Sequence, residues 1–238
     1  MSIKTNINLK ETTIPIFITI FNKLTVLKKS VQSYYDNIKT PFEIIIHDNG
    51  TTYQPTLDWV KSKGFKYYKS ENDMLAIAKT VEDWYKTNDA PYYVITDPDI
   101  SLKGVNGDIL EFLAHVLDSH SESVKVGLSL RLDCIPDHYQ HKQKVLDWEP
   151  KCYKDSLKIE WKHKEYDIYK ANIATTFSLY RKQYKFVQCD SGYKSIRTGI
   201  PYVAHHLDWY LDLTKLKPDQ IHYQKTAERN RAHWSVSL

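Results

Sequence analysis

The chain has 238 residues, of which 42% are hydrophobic and 26% are charged, and its formal net charge is +4. A chain of this length and composition is expected to be soluble and globular, with room for one sizeable α/β domain or two small ones; we favour one domain over residues 1–238. Because the lysines are scattered instead of forming a run, a nucleic-acid-binding role is not indicated, although the mild positive charge would suit an anionic small substrate or an anionic membrane surface.

The cysteines and the amino terminus both favour a cytoplasmic protein. Cys134, Cys152 and Cys189 lack the spacing of metal ligands, and their odd number favours reduced thiols. The longest early apolar run, residues 14–21, is too short to span a membrane, so we expect no transmembrane segment. Peripheral contact with a membrane stays open.

The amino-terminal half alternates strand-like and helix-like segments. β-Branched apolar runs predict strands, and apolar residues at helical spacing predict helices. Strands are expected at residues 14–21, 41–47, 65–68 and 92–96, and helices at residues 23–37, 53–63 and 74–85. This order predicts a parallel sheet with helices on both faces.

The fourth of these strands ends in two carboxylates. Residues 92–96 are rich in Tyr, Val and Ile, and Asp97-Pro98-Asp99 follows directly. Because residues i and i+2 of an extended segment point to the same side, Asp97 and Asp99 can present their carboxylates together. Two hard oxygen ligands at the carboxyl end of a strand would suit a divalent cation, whereas the alternative is a solvated turn.

Ligands of open α/β sheets bind beyond the carboxyl ends of the strands. This rule places Thr19, Phe21, Asn22 and Asp48 on the same rim as Asp97 and makes them candidates for nucleotide binding. Asp48 could accept hydrogen bonds from a base or a ribose, or it could close its turn or cap the next helix. The chain has only 7 glycines and no dinucleotide or P-loop pattern after the first strand, so a carboxylate-bound metal is the natural way to neutralise a diphosphate.

The second half is less regular. Basic and aromatic residues of the tail, residues 230–238, could touch an acceptor membrane, with a mobile tail as the alternative. Helices are expected at residues 107–120, 137–148 and 218–229, strands at residues 124–130 and 177–180, and residues 159–180 show irregular spacing.

Several side chains of this half are candidates for a sugar site. Arg131, Asp133 and Asp137 follow the predicted strand at the ligand rim, with a local ion pair between Arg131 and Asp133 as the alternative. Trp148 and Glu149 could bind an acceptor, because an aromatic face packs against sugar C–H groups while a carboxylate accepts from hydroxyls. A buried tryptophan beside a surface acid is the alternative.

Arg197 and His206 are candidates for charge compensation. A guanidinium matches phosphate oxygens, so Arg197 is expected to contact a diphosphate, with a solvated surface arginine as the alternative. His206 could complete a metal site begun by carboxylates. Since His205 and His206 are adjacent, at most one of them is expected to be a ligand. The alternative for either is a core or surface histidine.

Asp208, Trp209 and Tyr210 follow these histidines after Leu207. They are expected to begin a short helix near the acceptor. Trp209 and Tyr210 are therefore candidates for acceptor binding.

Taken together, these segments resemble glycosyltransferases of the GT-A fold, nearest to family 2 and to small capsule, lipopolysaccharide or viral-glycan transferases. The resemblance implies a Rossmann-like three-layer α/β/α sandwich with a mostly parallel central sheet. Residues 1–103 would form its nucleotide-binding half, and residues 104–238 would form the acceptor-binding half and the carboxyl-terminal helices. The matching pieces are the Asp after the second strand, the strand that ends in Asp-x-Asp, and residues 129–137, 148–149, 175–181, 196–198 and 206–210.

The resemblance also implies roles for the acids. Asp48 would lie at the base, Asp97 near the ribose and the metal, and Asp99 would bind Mn²⁺ or Mg²⁺ directly. The donor would be a nucleotide-diphosphate sugar, with UDP favoured and GDP possible, and the acceptor a glycan or a lipid-linked glycan. A viral member of this type would work in the host cytosol.

Two positions depart from the family pattern. An acid often precedes the Thr-Thr-Phe segment, where this chain has Ala174, and two adjacent acids are common where it has Asp133-Cys134. If the missing acid is the catalytic base, the chain is impaired, diverged or an engineered variant. It would then be a non-catalytic module that binds a nucleotide sugar or a glycan.

The sequence therefore predicts a metal-dependent, inverting glycosyltransferase. The base would be one of Asp133, Asp137 and Asp208, with Asp133 ranked first because of its place after a strand. A sugar-nucleotide pyrophosphorylase could share the sheet and the metal, but the glycine- and Arg/Lys-rich signature expected after its first strand is absent from residues 21–29. The non-catalytic module is the stronger alternative.

Overall fold

The structure is a computed structural model that describes residues 9, 11–70, 73, 75–186, 194–227 and 234. Six α-helices are found in these residues: α1 (Leu24–Asn37), α2 (Gln54–Ser62), α3 (Ala76–Tyr85), α4 (Ile109–Ser119), α5 (Lys142–Trp148) and α6 (Pro218–Thr226). The strands are β1 (Ile14–Ile20), β2 (Phe42–Asp48), β3 (Lys66–Lys69), β4 (Tyr92–Thr96), β5 (Ile100–Ser101), β6 (Lys125–Gly127), β7 (Ser129–Leu130), β8 (Ser156–Trp161), β9 (Lys164–Lys170), β10 (Ser178–Arg181), β11 (Ser195–Thr198) and β12 (Val203–His206).

Nine strands form the central sheet in the order β3-β2-β1-β4-β10-β6-β11-β9-β8. The four strands of the amino-terminal half run parallel, with Ile16 opposite Ile44 on one side and opposite Val94 on the other. β10 is inserted antiparallel between β4 and β6, and the β8–β9 hairpin closes the far edge. The predicted parallel sheet is thus confirmed for the amino-terminal half, while the second half is mixed.

Alternation along β1 explains the layers. Ile14, Ile16 and Ile18 point to one face of the sheet and belong to the core cluster that includes residues of α1, α2 and α4. Phe17 points to the opposite face, where it packs with Ile77 and other residues of α3. Because successive strand residues face opposite ways, an all-apolar strand is buried on both sides.

A second, three-stranded sheet lies beyond β4 in the order β5-β12-β7. In it, His206 is opposite Ile100 and His205 is opposite Ser101. The short β5 directly follows Asp99, so this pairing holds the end of β12 beside the Asp97-Pro98-Asp99 segment. Its residues bring the two halves of the chain together at the rim of the main sheet.

Two predicted elements differ from the structure. The strand expected at residues 124–130 is split, since β6 belongs to the central sheet and β7 to the small one. The helix expected at residues 137–148 begins only at Lys142 and continues as a 3-10 helix, Glu149–Tyr153, in which Pro150 occupies the first turn. A proline is tolerated there because first-turn amides have no intrahelical partner.

The sequence did not predict the short strands β5, β11 and β12 or the β8–β9 hairpin. The turn residues of the hairpin, Lys162 and His163, have φ angles of 49° and 62°, which Asn and Gly adopt far more readily than Lys and His. The usual hairpin signal is therefore missing at this turn. The alternation of Leu157, Ile159 and Trp161 is the signal that could have revealed the first strand.

Some predictions fall partly or wholly outside the described residues. Cys189 and most of the tail at residues 230–238 lie there, while Cys134 and Cys152 are free thiols. The helix predicted at residues 218–229 is observed as α6 over Pro218–Thr226. Every helix within residues 11–70, 75–186 and 194–227 is too short or too polar to span a bilayer.

Candidate functional site

The carboxyl ends of β1, β2 and β4 form one rim of the central sheet, as expected. The amide of Asn49, just after β2, donates to the carbonyl of Ile20 at the end of β1 with a distance of 2.9 Å. Asp97 and Asp99 follow β4, the neighbour of β1 on its other side. The rim therefore holds the predicted acids of two separate strands.

Asp97 is fixed by the loop that precedes β10. Its amide donates to the carbonyl of Thr175 with a distance of 3.0 Å, and the hydroxyl of Thr175 donates to the Asp97 carboxylate. Burial and the neighbouring charge of Asp99 raise the pKa of Asp97 to about 6, although the Thr175 hydrogen bond opposes this shift. Thr175 is thus the residue that orients Asp97.

Asp99 is buried and shares a lysine with Asp208. Lys23 Nζ lies 3.0 Å from Asp99 Oδ2 and also contacts Asp208 Oδ2. The amide of Leu207 donates to the Asp99 carbonyl with a distance of 2.7 Å, which holds Asp208 close to Asp99. The ring of Tyr223, on α6, lies 4.6 Å from Lys23 Nζ. The sequence identified Asp99 and Asp208 as separate candidates, and the structure joins them through Lys23.

The charges of Lys23, Asp99 and Asp208 shift one another's pKa values. Burial acts against the charged form of Lys23, but the carboxylates of Asp208 and Asp99 outweigh it and raise the lysine pKa. Burial also acts against ionised Asp99, yet Lys23 and His206 hold the pKa of Asp99 below its usual range. For Asp208, burial and the charge of Asp99 prevail over Lys23 and raise the pKa.

Among the buried side-chain polar atoms in the described part of the chain that lack a hydrogen-bond partner are Asp99 Oδ1 and His206 Nδ1, a carboxylate oxygen and an imidazole nitrogen at this rim. Buried polar atoms are rarely left unpaired, so this pair is a signal for an absent ligand. A carboxylate oxygen and an imidazole nitrogen are suitable ligands for Mn²⁺, and such ions take their remaining ligands from water and substrate phosphate.

Few protein side chains at this site could be metal ligands. No group of three or more His, Cys, Asp or Glu side chains among the described residues is arranged to hold a metal ion. The ring of His206 stacks on that of Trp209, with centroids 4.9 Å apart and planes 9° apart, and this contact fixes the imidazole. The residues therefore fit a cation that is held by one or two protein groups and completed by the substrate.

Two residues on this rim have a left-handed backbone. Asn22 follows β1 with φ 57°, and Phe177 precedes β10 with φ 46°. Both are fully buried. A bulky residue such as phenylalanine adopts this conformation at a cost, and such residues cluster at functional sites.

Asn22 and Asp48 both bind the loop that follows β2. The Asn22 side chain accepts from the amides of Thr52 and Tyr53, at 2.7 and 2.9 Å. Asp48 accepts from the amide of Thr51 at 2.7 Å and from the Tyr67 hydroxyl. The alternative role proposed for Asp48, closing its turn, is therefore present in the structure, and base recognition stays a prediction.

Helix α6 covers the rim near Thr19, Phe21 and Asn22. Phe21 makes an edge contact with Tyr223, and Asn22 Nδ2 donates to Thr226 Oγ1 at 3.0 Å. Thr19 is half-buried near the end of β1. Its nucleotide role, like that of Phe21, stays a prediction.

Asp133 and Asp137, the other two candidates for the base, are exposed. Asp133 pairs with Arg131 through bonds of 2.6 and 3.0 Å, which is the local ion pair given above as the alternative. This hydrogen bond lowers the pKa of Asp133 to about 2. The Asp137 side chain is 99% exposed and pairs with Lys142.

The two adjacent histidines face different partners, as expected. His205 Nδ1 lies 2.9 Å from the Tyr210 hydroxyl, which also lies 2.8 Å from Cys134 Sγ. Burial lowers the pKa of His205, and the nearby Arg131 lowers it further. Tyr210 is half-buried where it contacts His205 and Cys134, and Cys134 directly follows Asp133 in the chain.

The remaining candidates are placed differently from the expected site. Arg197 and Glu149 form a buried ion pair of 2.8 Å, and Arg197 Nε donates to the Asn172 carbonyl at 2.8 Å. Trp148 is 58% exposed, so the tryptophan is at the surface and the acid is buried, which reverses the alternative proposed above. Trp209 is fully buried beneath His206.

Two functional candidates were missed by the sequence analysis. Lys23 was interpreted only as the start of α1, and Thr175 only as part of a matching segment. The signal for Thr175 was its place before the strand that pairs with β4. For Lys23, the signal was its position three residues after the end of β1, on the ligand rim.

No protein-family model matches the chain, and no curated protein matches it. Solved structures do match. Residues 1–349 of TarS from Staphylococcus aureus are 13% identical, with a TM-score of 0.49; the match covers 82% of this chain and 60% of that one. Glucosyl-3-phosphoglycerate synthase from Mycobacterium tuberculosis, solved with Mn²⁺ and UDP-glucose, is 12% identical with a TM-score of 0.43, and covers 73% of this chain and 57% of that one.

A third match is mannosyltransferase PcManGT from Pyrobaculum calidifontis, solved with GDP-mannose and Mn²⁺. It is 14% identical, with a TM-score of 0.38, and covers 52% of this chain and 37% of that one. The chain thus spans about 60% of the TarS structure and less of the other two.

The topology of the chain itself defines its class. Helices cover both faces of a sheet whose amino-terminal strands are parallel, β10 is antiparallel beside β4, and an Asp-x-Asp segment follows β4. The chain has a GT-A-like, Rossmann-like α/β/α fold, as the sequence predicted.

Proposed function

We propose that this chain is a glycosyltransferase that moves a sugar from a nucleotide-diphosphate donor, UDP-linked or alternatively GDP-linked, to a hydroxyl of a glycan or lipid-linked glycan. The observation that carries the proposal is the pair of bare ligand atoms, Asp99 Oδ1 and His206 Nδ1, buried at the carboxyl rim of a GT-A-like sheet. A nucleotide diphosphate is the ligand class that such a rim and such a cation suit.

Asp99 and His206 are the residues that would hold Mn²⁺ or Mg²⁺, with Asp97 beside them. The ion would neutralise charge on the diphosphate as it leaves the sugar, which is the electrostatic contribution expected to be largest in such a transfer. Thr175 holds Asp97 in place, and the stacked Trp209 holds His206. These supports keep the ligands oriented before the donor binds.

Asp208 is the base that the geometry favours for an inverting transfer. It contacts the same lysine as Asp99, whereas Asp133 and Asp137 are exposed and paired with Arg131 and Lys142. A base must lie within hydrogen-bond reach of the acceptor hydroxyl, next to the donor sugar. Asp208 therefore replaces Asp133, which the sequence ranked first, as the leading candidate for the catalytic base.

Release of nucleoside diphosphate tests the proposal. Purified protein is incubated with UDP- and GDP-sugars, with Mn²⁺ or with a chelator, and free nucleoside diphosphate is measured. We expect slow metal-dependent release, and we expect its loss in Asp99→Asn but not in Asp36→Asn, a control at an exposed position of α1. Failure of every sugar nucleotide to bind, with or without metal, would exclude the transferase.

A non-catalytic binding module is the second candidate, and Ala174 favours it. Ala174 is exposed and directly precedes Thr175, which contacts Asp97, so a position without a carboxylate lies beside the proposed site. Binding of a sugar nucleotide in calorimetry without any turnover, across a panel of glycan acceptors, would favour the module over the enzyme.

A further inference from the structure

Lys23 occupies the position between two buried carboxylates at the proposed metal site. Its side chain is only 14% exposed, and Nζ lies 3.0 Å from Asp99 Oδ2 while contacting Asp208 Oδ2. Tyr223 adds a ring face at 4.6 Å. Every one of these neighbours favours a positive charge at this point.

The fold does not need this side chain for the helix that follows. Lys23 is the N-cap residue of α1 and gives no side-chain cap; Asp219 instead accepts from the Thr25 amide at 2.7 Å. The lysine stem is long and flexible, so the ammonium can leave the carboxylates without moving the backbone. The position of Nζ is therefore set by charge and not by the structure of the helix.

A divalent ion and the Lys23 ammonium would both bind the carboxylate of Asp99. An ion at Asp99 Oδ1 would lie within a few ångströms of an ammonium bound to Oδ2 of the same carboxylate. Two cations at such a separation repel each other strongly, because the burial of Asp99 and Asp208 weakens the screening of their repulsion by solvent. Without either cation, Asp99 and Asp208 would be two buried carboxylates in mutual repulsion.

We propose that Lys23 is a tethered counter-ion that holds Asp99 and Asp208 together in the metal-free protein and must leave Asp99 when a divalent ion binds. The ammonium and the metal ion are alternative partners of the same carboxylate. Lys23 thereby lowers the affinity of the free protein for the ion. This inference rests on the metal site of the proposed function.

Metal binding without nucleotide tests the exchange. Mn²⁺ is titrated into wild type, Lys23→Met and Lys29→Met at one pH, and binding is followed by calorimetry and by the electron-spin resonance signal of free Mn²⁺. Lys29 is an exposed lysine of the same helix and serves as the matched control. We expect Lys23→Met to bind Mn²⁺ at least about tenfold more tightly than wild type, and Lys29→Met to match wild type.

A second measurement needs no variant. In wild type with ¹⁵N-labelled lysine, diamagnetic Mg²⁺ is titrated and the Lys23 Nζ resonance is followed, with the Lys29 resonance as the reference. We expect the Lys23 signal alone to shift towards that of a solvated ammonium. This titration tests the exchange of Lys23 for the metal ion even if the Lys23→Met variant does not fold.

The outcomes separate the two proposals. If wild type binds Mn²⁺ and Lys23→Met binds it no more tightly, or if the Nζ resonance of wild type is unchanged at saturating Mg²⁺, the exchange is wrong and the metal site stands. If neither wild type nor the folded Lys23→Met variant binds Mn²⁺, both the exchange and the metal dependence of the proposed function are wrong.

Discussion

Asp219 near the start of α6 accepts hydrogen bonds from both the backbone amide and the hydroxyl of Thr25 in the first turn of α1, at 2.7 and 2.6 Å. Helix α1 has no acid in its own first turn and no side-chain cap from its N-cap residue. One of its amino-terminal amides, that of Thr25, is thus capped by a buried carboxylate from the other end of the chain. The same contact fixes α6 over the rim.

Loss of this cap is expected to destabilise the fold. Asp219→Ala should lower the free energy of unfolding by about 1–2 kcal/mol, because the Thr25 amide and hydroxyl lose a charged acceptor. Thr25→Val, which removes only the hydroxyl bond, should have a smaller effect. Urea unfolding followed by circular dichroism measures both, with Asp36→Asn as the surface control. Equal stability of Asp219→Ala and wild type would show that the contact contributes no cap.

Gly127 controls the loop that carries Thr175. A Cβ atom at this position would lie 2.4 Å from Ile173 Cδ1, 2.7 Å from Ser178 Oγ and 2.9 Å from the Thr176 carbonyl oxygen. Two of these neighbours are side chains that could shift, but the carbonyl belongs to the backbone of the loop. Gly127 at the end of β6 therefore allows the loop to approach the sheet.

We expect Gly127→Ala to cost about 1–3 kcal/mol of stability and to weaken donor binding, since Thr175 would be displaced from Asp97. Urea unfolding and calorimetry with a sugar nucleotide measure the two effects. The double variant Gly127→Ala with Ile173→Ala should recover part of the stability but less of the binding, because the clash with the Thr176 carbonyl remains. Full donor affinity in a folded Gly127→Ala protein would contradict this role.

A carboxylate at position 174 is expected to distinguish the two candidate functions. Ala174 is exposed beside Thr175, so Ala174→Asp fits without displacing the core. If the chain lacks only a base at this position, the variant should turn over at least about tenfold faster than wild type, since general bases contribute about 10²–10⁴-fold. Release of nucleoside diphosphate in the presence of acceptor measures this. Ala174→Asn, which has the same shape without the charge, should give no increase.

The regular part of the fold was predictable because its signals are local. Residues 14–21 and 92–96 are apolar on both faces, which only a strand covered by two helical layers explains, and both predictions are confirmed by β1 and β4. The place of Asp97 and Asp99 on the rim follows from the same pattern. Periodicity and the parallel connection rule are sufficient for this half.

The partners of the site residues were not predictable, because they come from distant parts of the sequence. Lys23 meets Asp208 across 185 residues, and Arg197 meets Glu149 across 48. No local pattern indicates which of several arginines is buried against an acid. Arg197 was selected for phosphate binding on its chemistry alone, and the ion pair with Glu149 uses the same chemistry inside the protein.

Histidine 47 gives the fold a defined acid sensitivity. His47 is 1% exposed on β2, where Nδ1 lies 2.9 Å from Thr80 Oγ1 and Nε2 lies 3.2 Å from Ser70 Oγ. Burial lowers its pKa from 6.5 to about 4, although the nearby Asp48 opposes the shift. The folded protein therefore keeps this imidazole neutral over a pH range in which the unfolded chain takes up a proton.

The sign of the effect follows from proton linkage. Well above pH 6.5, His47 is neutral in both the folded and the unfolded protein, so its contribution to stability is fully present. As the pH falls towards 4, the imidazole takes up a proton in the unfolded chain but not in the folded one, and unfolding is favoured. Between pH 7 and pH 5, His47 should account for a loss of about 2 kcal/mol in the free energy of unfolding. Urea unfolding of wild type and His47→Gln at the two pH values measures it, because the glutamine has no proton to gain. The variant should be less stable than wild type at pH 7 but should lose less stability on acidification, and parallel losses in the two proteins would exclude His47 as the source.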